Sequence, residues 1–247
     1  MGHQQINPYQ TPWNDAYAPF AAQAQVDERT AFIRRTYAHV FGAVALFTAI
    51  ETVLLYVVPA AVVGQALTIF GPYTWLAFLG GFMVVSWVAR GWAQSSTSKA
   101  TQYAGLGLYV VGEAVIMLPL LFMAVHFTQD PKLLPTAAFI TLFMFGGLTV
   151  VTLFTKQEFS FLGSMLWWGG LAAMGAIVCA IVFGFTLGVW FSVAMILLAS
   201  GYILYDTSNV MHRYRTDQHV AAALALFASL ALLFWYVLRL MMELNRR

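Results

Sequence analysis

Charge is scarce in this chain. Asp, Glu, Lys and Arg make up only 9% of its 247 residues, 61% are hydrophobic, and the mean hydropathy is +0.75. Soluble domains carry about 25% charged residues, so a water-soluble fold of this size would lack its charged surface; lipid is the expected solvent. Cysteine is nearly absent as well. Cys179 stands alone, which excludes a disulfide within the chain and a cysteine zinc cluster; it reads as a small apolar packing residue in a helix. A formal net charge of +2 is too small to point to nucleic acid. His39, His126, His212 and His219 are scattered and form no HxxxH pair, which argues against a zinc hydrolase. "LGSML" at Leu162–Leu166 is not a serine-nucleophile motif, and no lysine lies between His219 and Leu238 to form a Schiff base. No catalytic residue, metal or cofactor is expected.

What the chain does have is long apolar runs. A crossing helix needs about 20 apolar residues to span about 30 Å of hydrocarbon. Seven runs qualify: Thr36–Val58, Tyr73–Ala89, Tyr103–Val125, Thr136–Phe154, Phe161–Phe185, Val189–Asn209 and His219–Met241. The stretch from Phe159 to Tyr205 is uncharged and too long for one crossing; "FGFTLG" at Phe183–Gly188 is the natural break. The expected fold is all-α and polytopic. Ahead of it, "MGHQQINPYQTPWNDAYAPFAAQAQ" is rich in Gln and Pro and has no apolar core, so it reads as neither a secretory signal nor a folded segment. Residues 1–33 are expected to be a disordered cytoplasmic tail, with Asn7–Pro8–Tyr9 and Trp13 as a handle for a partner, and 34–247 to be the membrane domain.

Lys and Arg in short loops set orientation. Arg29, Arg34 and Arg35 precede the first crossing, Arg90 and Lys99 occupy the second loop, Lys156 the fourth, and Arg213 and Arg215 the sixth, against Lys132 alone on the other side. The amino end is therefore expected in the cytoplasm. Arg246 and Arg247 oppose a seven-span count, and the side of the carboxyl end stays open. Trp75, Trp92, Trp190 and Tyr214 fall near segment ends, as interface anchors do. The pairs Gly80–Gly81, Gly146–Gly147 and Gly169–Gly170 are read as sites of close helix approach.

Three acids lie inside crossings: Glu51, Glu113 and Asp206. Each costs at least about 2.5 kcal/mol at the bilayer centre on insertion scales, so each must face the bundle interior, pair, or take up a proton. Glu51 reads as a structural or secondary acid. Glu113, near the middle of its segment, serves equally well as a register pin or a functional group. Asp206 is the strongest functional candidate, because Tyr205, Ser208, Asn209 and His212 gather a turn or so away. Arg90 ends the second segment on the same side, and Asp206 is expected to pair with Arg90 or with Ser229 of the last segment, or with both. His212 is a candidate pH sensor, since imidazole changes charge near neutral pH; a solvated loop histidine is the plainer reading. The last segment carries small residues on several sides, Ala221–Ala223, Ala225, Ala228, Ser229 and Ala231, and is expected to be central, in touch with all six others.

"GYILYDTSNVMH", Gly201–His212, resembles the sixth-helix motif of the Bax inhibitor-1 family. "GGLTVVTLFTKQEFSFLGSML" is similar to that family's fourth-to-fifth junction, and "QYAGLGLYVVGEAVIMLPLL" to the third helix of its bacterial members. The resemblance implies a seven-helix bundle with a central last helix and a pH-dependent Ca²⁺ leak. In members of that kind two aspartates, on helices six and seven, share a proton and close the cytoplasmic side. Asp206 matches the first. Anchored on the Leu238–Arg239–Leu240 ending, the place of the second falls on Ser229. A serine there resembles the YccA-like bacterial branch, associated with the membrane protease FtsH. The expectation is thus an inner-membrane protein, in contact with lipids, with Asp206, Ser229, Arg90 and Glu113 along an ion path or gate and Ca²⁺ in transit. The alternative is a non-conducting regulator bound to a membrane protease.

Overall fold

The computed structural model describes residues 18–69, 71–95, 98–128, 130–155 and 157–245. Among them run eight helices: α1 (Val26–Val57), α2 (Ala60–Ile69), α3 (Pro72–Ala93), α4 (Lys99–His126), α5 (Leu133–Thr155), α6 (Leu162–Phe183), α7 (Gly188–His212) and α8 (His219–Asn245). Seven are long and apolar enough to cross a membrane, and they coincide with the seven runs of the sequence. The eighth, α2, has 10 residues, too few to cross. Pro59 and Pro72 bracket it: the Pro59 carbonyl accepts from Val62 N at 2.9 Å, and Pro72 stands in the first turn of α3, where its missing N–H costs nothing. The break between α6 and α7 is made of glycine for a backbone reason. Gly184 and Gly188 have φ of 72° and 63°, the left-handed region that a Cβ disfavours.

The first helix starts inside the segment expected to be tail. Asp27 and Glu28 occupy its first turn, where negative charge favours the helix dipole, and Phe32 is buried. Ahead of it, Phe20 bridges Arg215 in antiparallel fashion, and Ala21 N donates to the Tyr214 carbonyl at 2.9 Å. Pro19, Phe20 and Ala21, within the segment expected to be a disordered tail, are therefore docked on the turn between α7 and α8. Asn7–Pro8–Tyr9 and Trp13 lie outside the described residues.

The last helix is the core. Ala222, Ala223, Leu226, Leu233 and Leu238 are fully buried, and α8 lies against α7, α1, α5, α4 and α3. The sixth neighbour is the most peripheral: α6 lies mainly against α7 and α3 and joins α8 only where Ala173 packs in one buried cluster with Met195 and Tyr236. The reading of the glycine pairs needs correction. A Cβ on Gly80, Gly81, Gly146 or Gly147 would meet nothing within 4 Å, so these face open space. Only Gly169 and Gly170 press on a neighbour, Leu198 and Tyr202 of α7. Among the described glycines the closest approach is at Gly105, where a Cβ would come within 2.6 Å of Ala89 O and Ala93 N; there α3 and α4 meet backbone to backbone. Cys179 faces outward on α6 instead of packing inside.

Candidate functional site

The end of the bundle that carries Arg35, Arg90, Lys99 and Arg215 is called here the basic end. Asp206 sits on α7 six residues before its last residue, about 9 Å along the axis. Ser229 of α8 donates its hydroxyl to Asp206 Oδ2. Two helices that lie together extensively, α7 and α8, are thus joined by a polar bond, and a carboxylate in lipid gains the donor it needs. Ser208 of α7 is tied as well. Ser208 Oγ accepts from Phe159 N at 2.9 Å, which fixes the α5–α6 loop beside the acid. On the other side of α7, Thr207 faces the Tyr37 hydroxyl of α1, which also faces Thr149 of α5.

Of the two partners expected for Asp206, Ser229 is the one that bonds it, and Arg90 forms no ion pair with it. The Arg90 guanidinium instead lies 5.9 Å from the centre of the Tyr109 ring and interacts electrostatically with both Asp206 and Glu113. Tyr109 is the residue that the sequence reading missed. It is buried on α4, one turn from Glu113, and it interacts electrostatically with the Glu113 carboxyl and with Arg90. The i, i+4 spacing of Tyr109 and Glu113 was the available signal. Glu113 itself is buried, about 21 Å along α4 from its Lys99 end. Glu51 lies opposite on α1, buried, close enough to feel the Glu113 charge, with no hydrogen-bond partner for either oxygen.

Counted along their helices from the basic end, Asp206 is the shallowest acid and Glu113 and Glu51 lie deeper, with Tyr109 at an intermediate depth. His212 is not part of this group. It is the last residue of α7, and its Nδ1 bonds the Ser208 carbonyl at 2.9 Å. Just outside the membrane segments, burial pushes the Tyr214 phenol up from its ordinary pKa, and the nearby Asp206 charge pushes the same way. At the opposite end, Arg239 and Glu243 pair at 3.1 Å and Ser192 donates to Glu243 at 3.0 Å, a second polar tie between α7 and α8. Among the described residues no three His, Cys, Asp or Glu side chains converge on a metal position.

A multi-pass membrane protein with a buried last helix and interior acids is the class that this architecture defines. Residues 29–247 match the family described as "Inhibitor of apoptosis-promoting Bax1", and the chain belongs to that Bax inhibitor-1 family. It is 27% identical to mouse protein lifeguard 4 over 235 residues, 94% of this chain and 92% of the relative. It is 27% identical to Bax inhibitor 1 of Schizosaccharomyces pombe over 86% of this chain and 76% of the relative. A protein of Pseudomonas aeruginosa is 25% identical over 89% and 92% of the two chains.

Proposed function

We propose that this protein is a pH-sensitive cation leak, for Ca²⁺ first of all, closed at its basic end by Asp206. The observation that supports the reading is the meeting of Asp206 with Ser229, with Arg90 acting electrostatically on both Asp206 and the deeper Glu113, which in turn acts on Glu51. Ionised Asp206 draws Arg90 toward the α7–α8 seam and holds that end shut; protonation removes the attraction and frees the end to loosen. The deeper acids then offer successive oxygen ligands, suited to a hard cation. Lys and Arg bias puts the basic end in the cytoplasm, and relatives in bacteria favour an inner membrane. Ser229 stands where relatives of the dyad type carry aspartate, so one carboxyl titrates here as a single group, without the two coupled steps of a shared-proton pair. The same serine favours the YccA-like branch.

Flux of Ca²⁺ and K⁺ into liposomes containing the purified protein, from acidic to neutral pH, tests this. Wild type conducts with one titration step, Asp206→Asn loses most of the pH dependence, and Ser229→Asp acquires two steps. An identical pH profile in wild type and Asp206→Asn removes the gate assignment. Absence of flux at every pH favours the other reading, a regulator that binds a membrane protease and in which the acids only hold helices in register.

A further inference from the structure

Two cavities lie end to end along the seam of α1 and α4. The first, about 290 Å³, is apolar and opens toward lipid between Gly42 and Leu46 of α1 and Leu106 and Gly107 of α4. Gly42 and Gly107 have no neighbour within 4 Å of where a Cβ would be, so the groove is left open by the absence of two side chains. The second, about 350 Å³, is polar and lies at the basic end, lined by Arg35, Lys99, Glu28, Asp217 and His219. His39 lines the first and His219 the second, with ring centres 5.0 Å apart, so the cavities adjoin at this pair. His39 is fixed: its Nδ1 donates to the Arg35 carbonyl at 2.6 Å, which leaves Nε2 to accept from the Tyr103 hydroxyl at 3.1 Å. His219 is not. It is buried in the wall, and its Nδ1 has no hydrogen-bond partner.

The charges of the polar cavity are mixed and unspent on one another. Neither Arg35 nor Lys99 forms an ion pair with Glu28 or Asp217 among the described residues. Lys99 Nζ donates to the Asp217 carbonyl at 2.9 Å and Glu28 accepts from the Thr216 hydroxyl, so both keep further capacity. A chamber with two cations and two carboxylates, continuous with a hydrocarbon groove, matches a head group that carries both signs on a single acyl-bearing molecule. A free phosphate would leave the groove empty and the carboxylates facing it. A head group with no cation would meet the same carboxylates.

We propose that the α1–α4 seam is a binding site for one phospholipid with a phosphoethanolamine head group. Arg35 and Lys99, with His219 Nδ1, take the phosphate; Asp217 and Glu28 take the ammonium; one acyl chain passes His39 and Tyr103 into the groove floored by Gly42 and Gly107. Basic pockets between helices at this level are suited to phosphate head groups, and the ammonium of ethanolamine supplies the N–H donors that carboxylates select and that a quaternary choline lacks. The assignment does not depend on conduction.

Native mass spectrometry of the full chain, released from detergent with phosphatidylethanolamine, phosphatidylcholine and phosphatidylglycerol of identical acyl chains, tests it. The ethanolamine lipid is expected to be retained about tenfold more than the other two, the weight of one charge-assisted hydrogen bond. Asp217→Asn, on an exposed turn, is expected to cancel the preference over choline. Gly42→Leu fills the groove and lowers retention of all three lipids, while Gly146→Leu, equally unobstructed but on α5, leaves retention unchanged. Equal or better retention of phosphatidylglycerol overturns the head-group assignment, and so does a choline ratio that Asp217→Asn leaves unaltered. Retention in Gly42→Leu equal to wild type overturns the groove.

Discussion

Helices α8 and α6 are built from nearly the same alphabet and live in opposite surroundings. Both are long, apolar and without lysine, yet 72% of the apolar stretch of α8 is buried, against 11% for α6. Hydropathy cannot separate them, because lipid and protein interior are equally apolar. What separates them is size. The α8 faces carry Ala221, Ala222, Ala223 and Ala231, all buried, and let five helices approach; α6 turns Trp167, Trp168 and Phe183 outward, large side chains that fit acyl chains and would block neighbours.

The largest effect is expected where the contrast is greatest. Ala222 on α8 is fully buried, and Ala222→Leu forces added methyl groups into a closed space, a cost near the top of the about 1–3 kcal/mol range for overpacking. Cys179→Leu on the outer face of α6 is expected to stay within about 0.5 kcal/mol of wild type. Unfolding in mixed detergent and SDS micelles reads both, and comparable losses would mean that α6 is as enclosed as α8.

A slightly smaller difference is expected at glycines. Gly105→Ala places a Cβ 2.6 Å from backbone atoms of α3, which must move apart, at about 1–3 kcal/mol. Gly146→Ala meets nothing and gains up to about 1 kcal/mol of helix propensity. The same unfolding assay is expected to return opposite signs.

How much of this was legible beforehand follows from which link each feature lives on. Apolar length fixed the seven crossings, and the six-residue break at Phe183–Gly188 sits where two glycines take positive φ. The Asp206–Ser229 contact followed from residue correspondence with a family, since nothing in either helix alone says which side chain of the other it meets. Helix neighbours are a tertiary matter: Arg90 looked like a partner for Asp206 and instead lies over Tyr109. The docking of Phe20 and Ala21 on the α7–α8 turn was hidden because so short a segment shows no period of its own until it is paired.

Ser229→Ala is expected to cost less again. It removes the donor to Asp206, and interhelical hydrogen bonds in membranes average about 0.6 kcal/mol, reaching about 1.7 at most. Ser164→Ala on exposed α6, whose hydroxyl bonds only its own helix at 3.4 Å, is expected to change nothing measurable. A double replacement, Ser229→Ala with Asp206→Asn, would show whether the two act as a unit: coupling between them is expected, and additivity would mean that the bond contributes nothing to stability.

The smallest effect is expected at a buried position, which sharpens what burial means here. Glu51 is 4% exposed, as enclosed as much of α8, but neither carboxyl oxygen has a hydrogen-bond partner and the acidic neighbour acting on it is Glu113. Desolvation with no compensating bond is a standing cost in the wild-type fold, so removing the carboxyl forfeits no attraction. Glu51→Leu keeps most of the volume and adds apolar contact; stability is expected to hold within about 0.5 kcal/mol or to rise. Asp206→Leu, by contrast, strands the Ser229 hydroxyl and is expected to destabilise. If Glu51→Leu costs more than about 2 kcal/mol in the SDS assay, the two oxygens must be held by something bound between α1 and α4, and Glu51 would then belong with Asp206 among the acids whose partners define the site.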